Sequence, residues 1–258
     1  SGSSRNVCSV SFGIRIVAKV SRMEVARRFL APPPEKYLSA LLDQRLISEA
    51  EAALAAKIPM ADAISAEADS GGHTDNRPAL ALLPTFLALR DESMRQHGFR
   101  QPIPVGLGGG IATPDAAAAA FAMGAAYVLT GSVNQACVEA GTCAAVRHML
   151  AEAEQADVIM APAADMFEMG VKVQVLKRGT MFAMRASKLY DLYNTYASFE
   201  ALPQNEQQFV EKQLLKTSFA AAWEQTMAFF RERDPAQIQR ALADPKHKLA
   251  LVFRSYLG

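Results

Sequence analysis

Pro104-Val-Gly-Leu-Gly-Gly-Gly-Ile-Ala-Thr-Pro114 is the stretch on which the fold turns. A short apolar run ends in the glycines Gly108 to Gly110, and Thr113 and Pro114 then open an alanine-rich segment reaching Met123. Threonine suits an N-cap because its side-chain oxygen accepts from an orphaned amide, and proline suits the first helical position, where no amide is needed. The stretch predicts strand, tight turn and helix. On its C-terminal side, Ala126-Tyr-Val-Leu-Thr-Gly-Ser132 repeats the strand and turn, and a helix is expected from about Asn134 to Glu154. On its N-terminal side, the apolar Ala61 to Ala68 runs into the polar loop Asp69-Ser-Gly-Gly-His-Thr-Asp-Asn-Arg77, after which Pro78 opens a helix to about His97. Further upstream, Ile14 to Val20 is a β-branched run followed by apolar residues at helical spacing from Arg22 to Leu30. Pro32 to Pro34 stop that helix, and Glu35 to Ala56 reads as two amphipathic helices divided near Ile47-Ser48, an insertion between units.

Strands alternating with helices predict an α/β fold with a parallel sheet and right-handed crossovers, either doubly wound or barrel-shaped; periodicity alone does not choose. From about Met166 the strands give out except for a short one at Val171 to Leu176, and helices broken at Pro203, Pro235 and Pro245 follow. The expected organisation is an unmatched segment 1–13, a partial barrel 14–160 with the helical insertion at about 34–57, and a mostly helical region 161–258. With 50% hydrophobic and 21% charged residues, the composition is that of a packed globular protein. A formal charge of +1 leaves no field to hold a long polyanion, so nucleic acid is not an expected partner. Cys8, Cys137 and Cys143 sit in no metal-ligand spacing and read as reduced thiols, which suits a cytoplasmic setting and no metal. The apolar run Ala116 to Leu129 is too short for a membrane span. Ser1 to Arg5 lacks a leader's apolar core and reads as a cut end.

Two glycine turns one unit apart, Gly108-Gly-Gly-Ile111 and Thr130-Gly-Ser132, carry the first chemical signal. The loops after the last two strands of a (β/α)₈ barrel commonly hold a phosphate, because glycine lets backbone amides approach and helix N-termini carry partial positive charge. Gly109, Gly110, Gly131 and Ser132 are the candidate phosphate ligands. On this reading the four strands are strands five to eight of a TIM barrel, followed by a helical C-terminal region. Gly71 and Gly72 give backbone access beside His73, which at a strand mouth can move protons near neutral pH. Asp75 and Asn76 share its loop and are candidates to orient it. Lys19 ends the first strand on the same mouth, as a site cation or as half of a surface salt bridge. His97, His148 and His247 are read as solvated surface.

These residues resemble the flavin-dependent enoyl reductases that act in trans on polyunsaturated-fatty-acid synthases and trans-acyltransferase polyketide synthases, relatives of nitronate monooxygenase. The matching stretches are Ala18 to Arg22, Glu67 to Pro78, Gly109 to Pro114, Thr130 to Gln135, Ala161 to Gly170, Val173 to Gly179 and the tail Leu251 to Gly258. The resemblance implies FMN, with its phosphate at Gly109, Gly110, Gly131 and Ser132 and its ring beside Gly71, Gly72 and His73. Lys19 would stabilise the charge of the reduced flavin. It also implies NADPH or NADH as hydride donor, His73 as proton donor or organiser, and an enoyl thioester delivered by an acyl carrier protein. Lys172, Lys177, Arg178, Arg185 and Lys188 would meet that acidic partner, or form an ordinary solvated face. The alternatives are a nitronate monooxygenase-type oxidase and a truncated, non-catalytic fragment, whose open sheet edges would call for a homodimer or a missing half.

Overall fold

The computed structural model describes residues 15–258. Expectations about Cys8 and the segment 1–13, like the residue Ile14 at the start of the first expected strand, lie outside the described residues. The strands are β1 (Val17–Val20), β2 (Ala63–Glu67), β3 (Gly72–His73), β4 (Val105–Gly108), β5 (Val128–Leu129), β6 (Val158–Pro162) and β7 (Lys172–Leu176). They belong to two compact units, one comprising the chain to Asp69 with Asp75–Thr130, the other Ser70–Thr74 with Gly131–Gly258. The protein is thus a mixed α/β chain with a parallel sheet and many helices.

In the first unit the sheet runs β1-β2-β4-β5, with every pairing parallel. Val17 lies opposite Ala63, Ile64 opposite Val105 and Leu107 opposite Val128. Alternation then gives the sheet two unlike faces. Ala18, Val20, Ile64, Ala66, Val105 and Leu107 point into one core with residues of α1 (Met23–Phe29), α4 (Ala79–His97) and α5 (Pro114–Ala122), including Ala26, Leu83, Phe86 and Ala120. Burying a side chain such as Phe86 contributes about 1.5–3 kcal/mol of transfer free energy. Lys19, Ser65, Glu67, Gly106 and Gly108 occupy the opposite pleat. There the Tyr127 ring lies over Gly106, and its hydroxyl is 2.8 Å from Ser65 Oγ. Thr113 caps α5 by accepting from the Ala116 amide at 3.2 Å, with Pro114 in the first turn, as the sequence predicts. The segment expected as an insertion forms α2 (Glu35–Asp43) and α3 (Glu49–Ala55), and α3 starts on a reciprocal Ser48–Glu51 capping box.

The second unit holds an antiparallel sheet in the order β3-β7-β6. The hairpin's first strand, β6, is not among the sequence expectations: Val158-Ile-Met-Ala-Pro162 is five residues long and closes on a proline. The expected helix 134–154 is interrupted, giving α6 (Ser132–Gln135) and α7 (Ala144–Ala151). Gly141 and Thr142 lie in the break, where the Thr142 hydroxyl donates to the Gln135 carbonyl at 2.7 Å and Arg147 donates to the Thr142 carbonyl at 2.6 Å. The helices α8 (Phe182–Thr195), α9 (Gln204–Phe209), α10 (Phe219–Arg233), α11 (Pro235–Ala243) and α12 (Pro245–Leu257) follow. Pro203, Pro235 and Pro245 each stand at a helix start, where a missing amide costs nothing. Their core gathers Phe167, Leu189, Trp223, Leu249, Val252 and Phe253, with Phe199 stacked on Phe219 at 4.0 Å. No helix among the described residues is long and apolar enough to cross a membrane.

Candidate functional site

His73 is presented by the two-residue strand β3, which pairs with β7 so that His73 faces Val173 and Gly72 faces Gln174. Gly72 has φ +83°, a left-handed conformation that side-chain-bearing residues rarely adopt, and it turns the loop into this pairing. The His73 Nε2 lies 3.3 Å from Asp165 Oδ1, on the loop joining β6 to β7. Both side chains are about half exposed, at 47% and 63%, so the pair adds little to stability while remaining open to a substrate. An imidazole held by a carboxylate has its ring orientation set, which is what a general base needs. Gly71 lies close to Ser132, such that a Cβ added at Gly71 would stand 3.0 Å from the Ser132 Oγ. His73, Asp165, Gly71, Gly72, Gly131 and Ser132 all belong to the second unit.

The remaining expected residues belong to the first unit. Asp75 accepts from the Ser21 hydroxyl and lies 3.8 Å from Arg22 Nε, while Asn76, at φ +52°, donates to Asp69 Oδ1 at 2.9 Å. The acidic neighbour of His73 is therefore Asp165. Lys19 Nζ is 2.6 Å from Glu67 Oε1 across β1 and β2. Gly109 has φ +97°, and a Cβ there would meet the Ala68 carbonyl oxygen at 2.6 Å, so that turn requires glycine; Gly110 has φ +72°. In the expected basic cluster, Arg178 donates to the Glu152 carbonyl at 3.0 Å and lies 3.5 Å from Asp157, and Lys188 pairs with Glu206 at 2.7 Å. Cys137 and Cys143 are free and exposed. Among the described residues no group of three or more His, Cys, Asp or Glu is placed to hold a metal ion.

Sequence reasoning missed two features. Asp165 lies inside the resembling stretch Ala161 to Gly170, yet its partnership with His73 needs the β3–β7 pairing to become visible. His247, read as solvated surface, is 2% exposed and hydrogen-bonded to Glu168 and Gln237. Its signal was helical spacing, since Ala250 and Leu251 at i+3 and i+4 are fully buried. Nearby, burial pushes the Tyr193 phenol above its ordinary pKa, and the negative charges of Glu168 and Asp244 push it further.

Residues 196–258 match the family model of the [acyl-carrier-protein] S-malonyltransferase inserted helical domain. The chain is 50% identical to a polyunsaturated fatty acid synthase polypeptide of Thraustochytrium sp., over all of this chain and 18% of that protein. It is 47% identical to the polyketide biosynthesis protein PksE of Bacillus subtilis, over 94% of this chain and 31% of that one. Among solved structures it is similar to the enoyl reductase domain of MlnA from the macrolactin biosynthesis cluster of Bacillus amyloliquefaciens, at 40% identity and a TM-score of 0.86, over 94% of this chain and 54% of that one. The chain thus spans less than a third of the curated relatives it matches here.

The family match corrects the expectation of a flavin-dependent enoyl reductase. Residues 196–258 include the helical tail read as a reductase feature, and they match the inserted domain of an acyl transferase. The S-malonyltransferase named by that model calls for neither FMN nor a nicotinamide, so FMN and the NADPH or NADH hydride donor are corrected with that expectation. So is the nitronate monooxygenase-type alternative. The relatives themselves are named for polyunsaturated fatty acid synthesis and for polyketide biosynthesis.

Proposed function

We propose that this chain is the carrier-protein-facing part of a polyketide or polyunsaturated fatty acid synthase and handles acyl groups held as thioesters on an acyl carrier protein. The observation that carries the reading is the match of residues 196–258 to the helical domain of a transferase whose named partner is the acyl carrier protein. Relatives named for polyunsaturated fatty acid synthesis and polyketide biosynthesis support it. Transfer of an acyl group between thioester carriers is the reaction to test first, and a cytoplasmic setting goes with it. Within the second unit, His73 beside Asp165 is the group to act as base, with Gly71, Gly72, Gly131 and Ser132 as candidate lining. Lys172, Lys177 and Arg185 are candidate contacts for an acidic carrier protein.

Intact-mass measurement of a holo-acyl carrier protein incubated with the chain and an acyl-CoA tests the proposal. The carrier protein should gain the acyl mass, and His73→Ala should slow the gain by roughly 10²-fold or more, the scale of a lost general base. An unacylated carrier protein would sink the acyl-transfer reading. So would reduction of an enoyl thioester, the activity named for the MlnA domain.

The finer architecture is also a proposal: β1, β2, β4 and β5 as four consecutive strands of a (β/α)₈ barrel, strands five to eight, followed along the chain by 161–258 as a mostly helical region. Two features support this. The strands lie in the sheet in their order along the chain, with no reversal of the kind a doubly wound sheet has. Their helices α1, α4 and α5 pack on one face. A longer sequence with the preceding strands should protect the β1 edge amides from hydrogen exchange; unchanged exchange would count against closure.

A further inference from the structure

Both ring nitrogens of the buried His247 face oxygen. Nδ1 is 2.8 Å from Glu168 Oε1 and Nε2 is 2.9 Å from Gln237 Oε1. The Gln237 amide is fixed in this sense, because its Nε2 donates to Asp234 Oδ2 at 2.9 Å and an ionised carboxylate only accepts. Gln237 thus offers His247 its carbonyl oxygen, and Glu168 offers a carboxylate. Both ring nitrogens are thus tied, one to each partner, and the ring cannot turn without breaking a hydrogen bond. At 2% exposure these two partners satisfy the polar atoms of a ring withdrawn from water.

Glu168 sits on the single turn Phe167–Met169, and this turn is anchored a second time. Phe167 is 1% exposed and packs edge-on against Tyr190 at 5.4 Å and tilted against Tyr193 at 5.3 Å. Two residues earlier on the same loop stands Asp165, the partner of His73. The loop's other end is tied by the Ala163 amide, which donates to the Val171 carbonyl at 2.9 Å. We infer that His247, held between Glu168 and Gln237, is a positioning residue that fixes the 163–170 loop so that Asp165 meets His73. The helices α11 and α12 thereby set the geometry of the candidate base. The inference rests on the reading of His73 and Asp165 as the working centre.

The test uses the whole chain without substrate, so loss of the acyl-transfer reading would leave its outcome standing. Ring ¹⁵N resonances of the four histidines are recorded near neutral pH and assigned by single substitution. Asp165→Asn defines the shift of the His73 resonances when its carboxylate charge is lost. Glu168→Ala should move the His73 resonances in the same direction, with those of His97 and His148 unmoved and the far-ultraviolet circular dichroism retained. A folded Glu168→Ala protein with His73 unmoved overturns the positioning role. Should Glu168→Ala fail to fold, His247→Gln removes the same strut from its other end by withdrawing the ring from Glu168. It should move the His73 resonances in the same direction, and a folded His247→Gln protein with His73 unmoved overturns the positioning role.

Discussion

At Gly106 a missing side chain makes room for another residue's ring. A Cβ there would stand 2.2 Å from the Tyr127 ring, far inside contact distance, and that ring is tethered through its hydroxyl to the buried Ser65. Gly106→Ala should therefore cost about 1–3 kcal/mol, the scale of an overpacked site. Urea midpoints check this, and pairing the change with Tyr127→Ala should return part of the loss. A fully additive pair would show that the ring is not what fills the space. The residue scale is also where sequence reasoning was most uneven. His73 stood out because a histidine among glycines at a strand mouth is chemically conspicuous. Asp165 and His247 did not, because their meaning lies in partners brought to them by pairing and packing.

Among the elements, α3 depends on its first turn. Glu51 accepts from the Ser48 amide and hydroxyl, each at 2.8 Å, while the Glu51 amide donates to Ser48 Oγ at 3.3 Å. The amide and then the hydroxyl of Ser48 hold the Glu51 carboxyl below its ordinary pKa. A carboxyl lowered in the folded state contributes stability above its unfolded value and loses it as pH falls through its folded one. Acid titration should thus fray α3 in the carboxylate range, read from Ala52 to Ala55 amide shifts, and Glu51→Gln should flatten that dependence. Dependence surviving in Glu51→Gln would assign it elsewhere. The elements of the parallel sheet were legible because apolar runs ending at glycine or proline announce βα units, as at Val105–Gly108 before Thr113 and Pro114. The antiparallel sheet was hidden: β3 is two residues long, and its partner β7 lies far along the chain.

For the whole molecule, the two units have separate apolar cores. The single tryptophan, Trp223, is 6% exposed in the second, so its fluorescence reports on that unit alone. Leu83, fully buried in the first, should cost about 2–5 kcal/mol when cut to alanine. The expected outcome is a far-ultraviolet transition moved to lower denaturant while the Trp223 transition stays in place. Both moving together would mean that the units unfold as one.

The five residues Ser70–Thr74 belong to the second unit while the chain on both sides of them belongs to the first. Anyone dividing the gene after Thr130 would send the strand bearing His73 away with the wrong fragment. The hairpin of Val158–Pro162 and Lys172–Leu176 would lose its third strand, and Asp165 its histidine. No single cut in the polypeptide recovers the two units intact. The candidate base is, in effect, stitched into its unit from outside, and the two fragments could restore it only by reassembling.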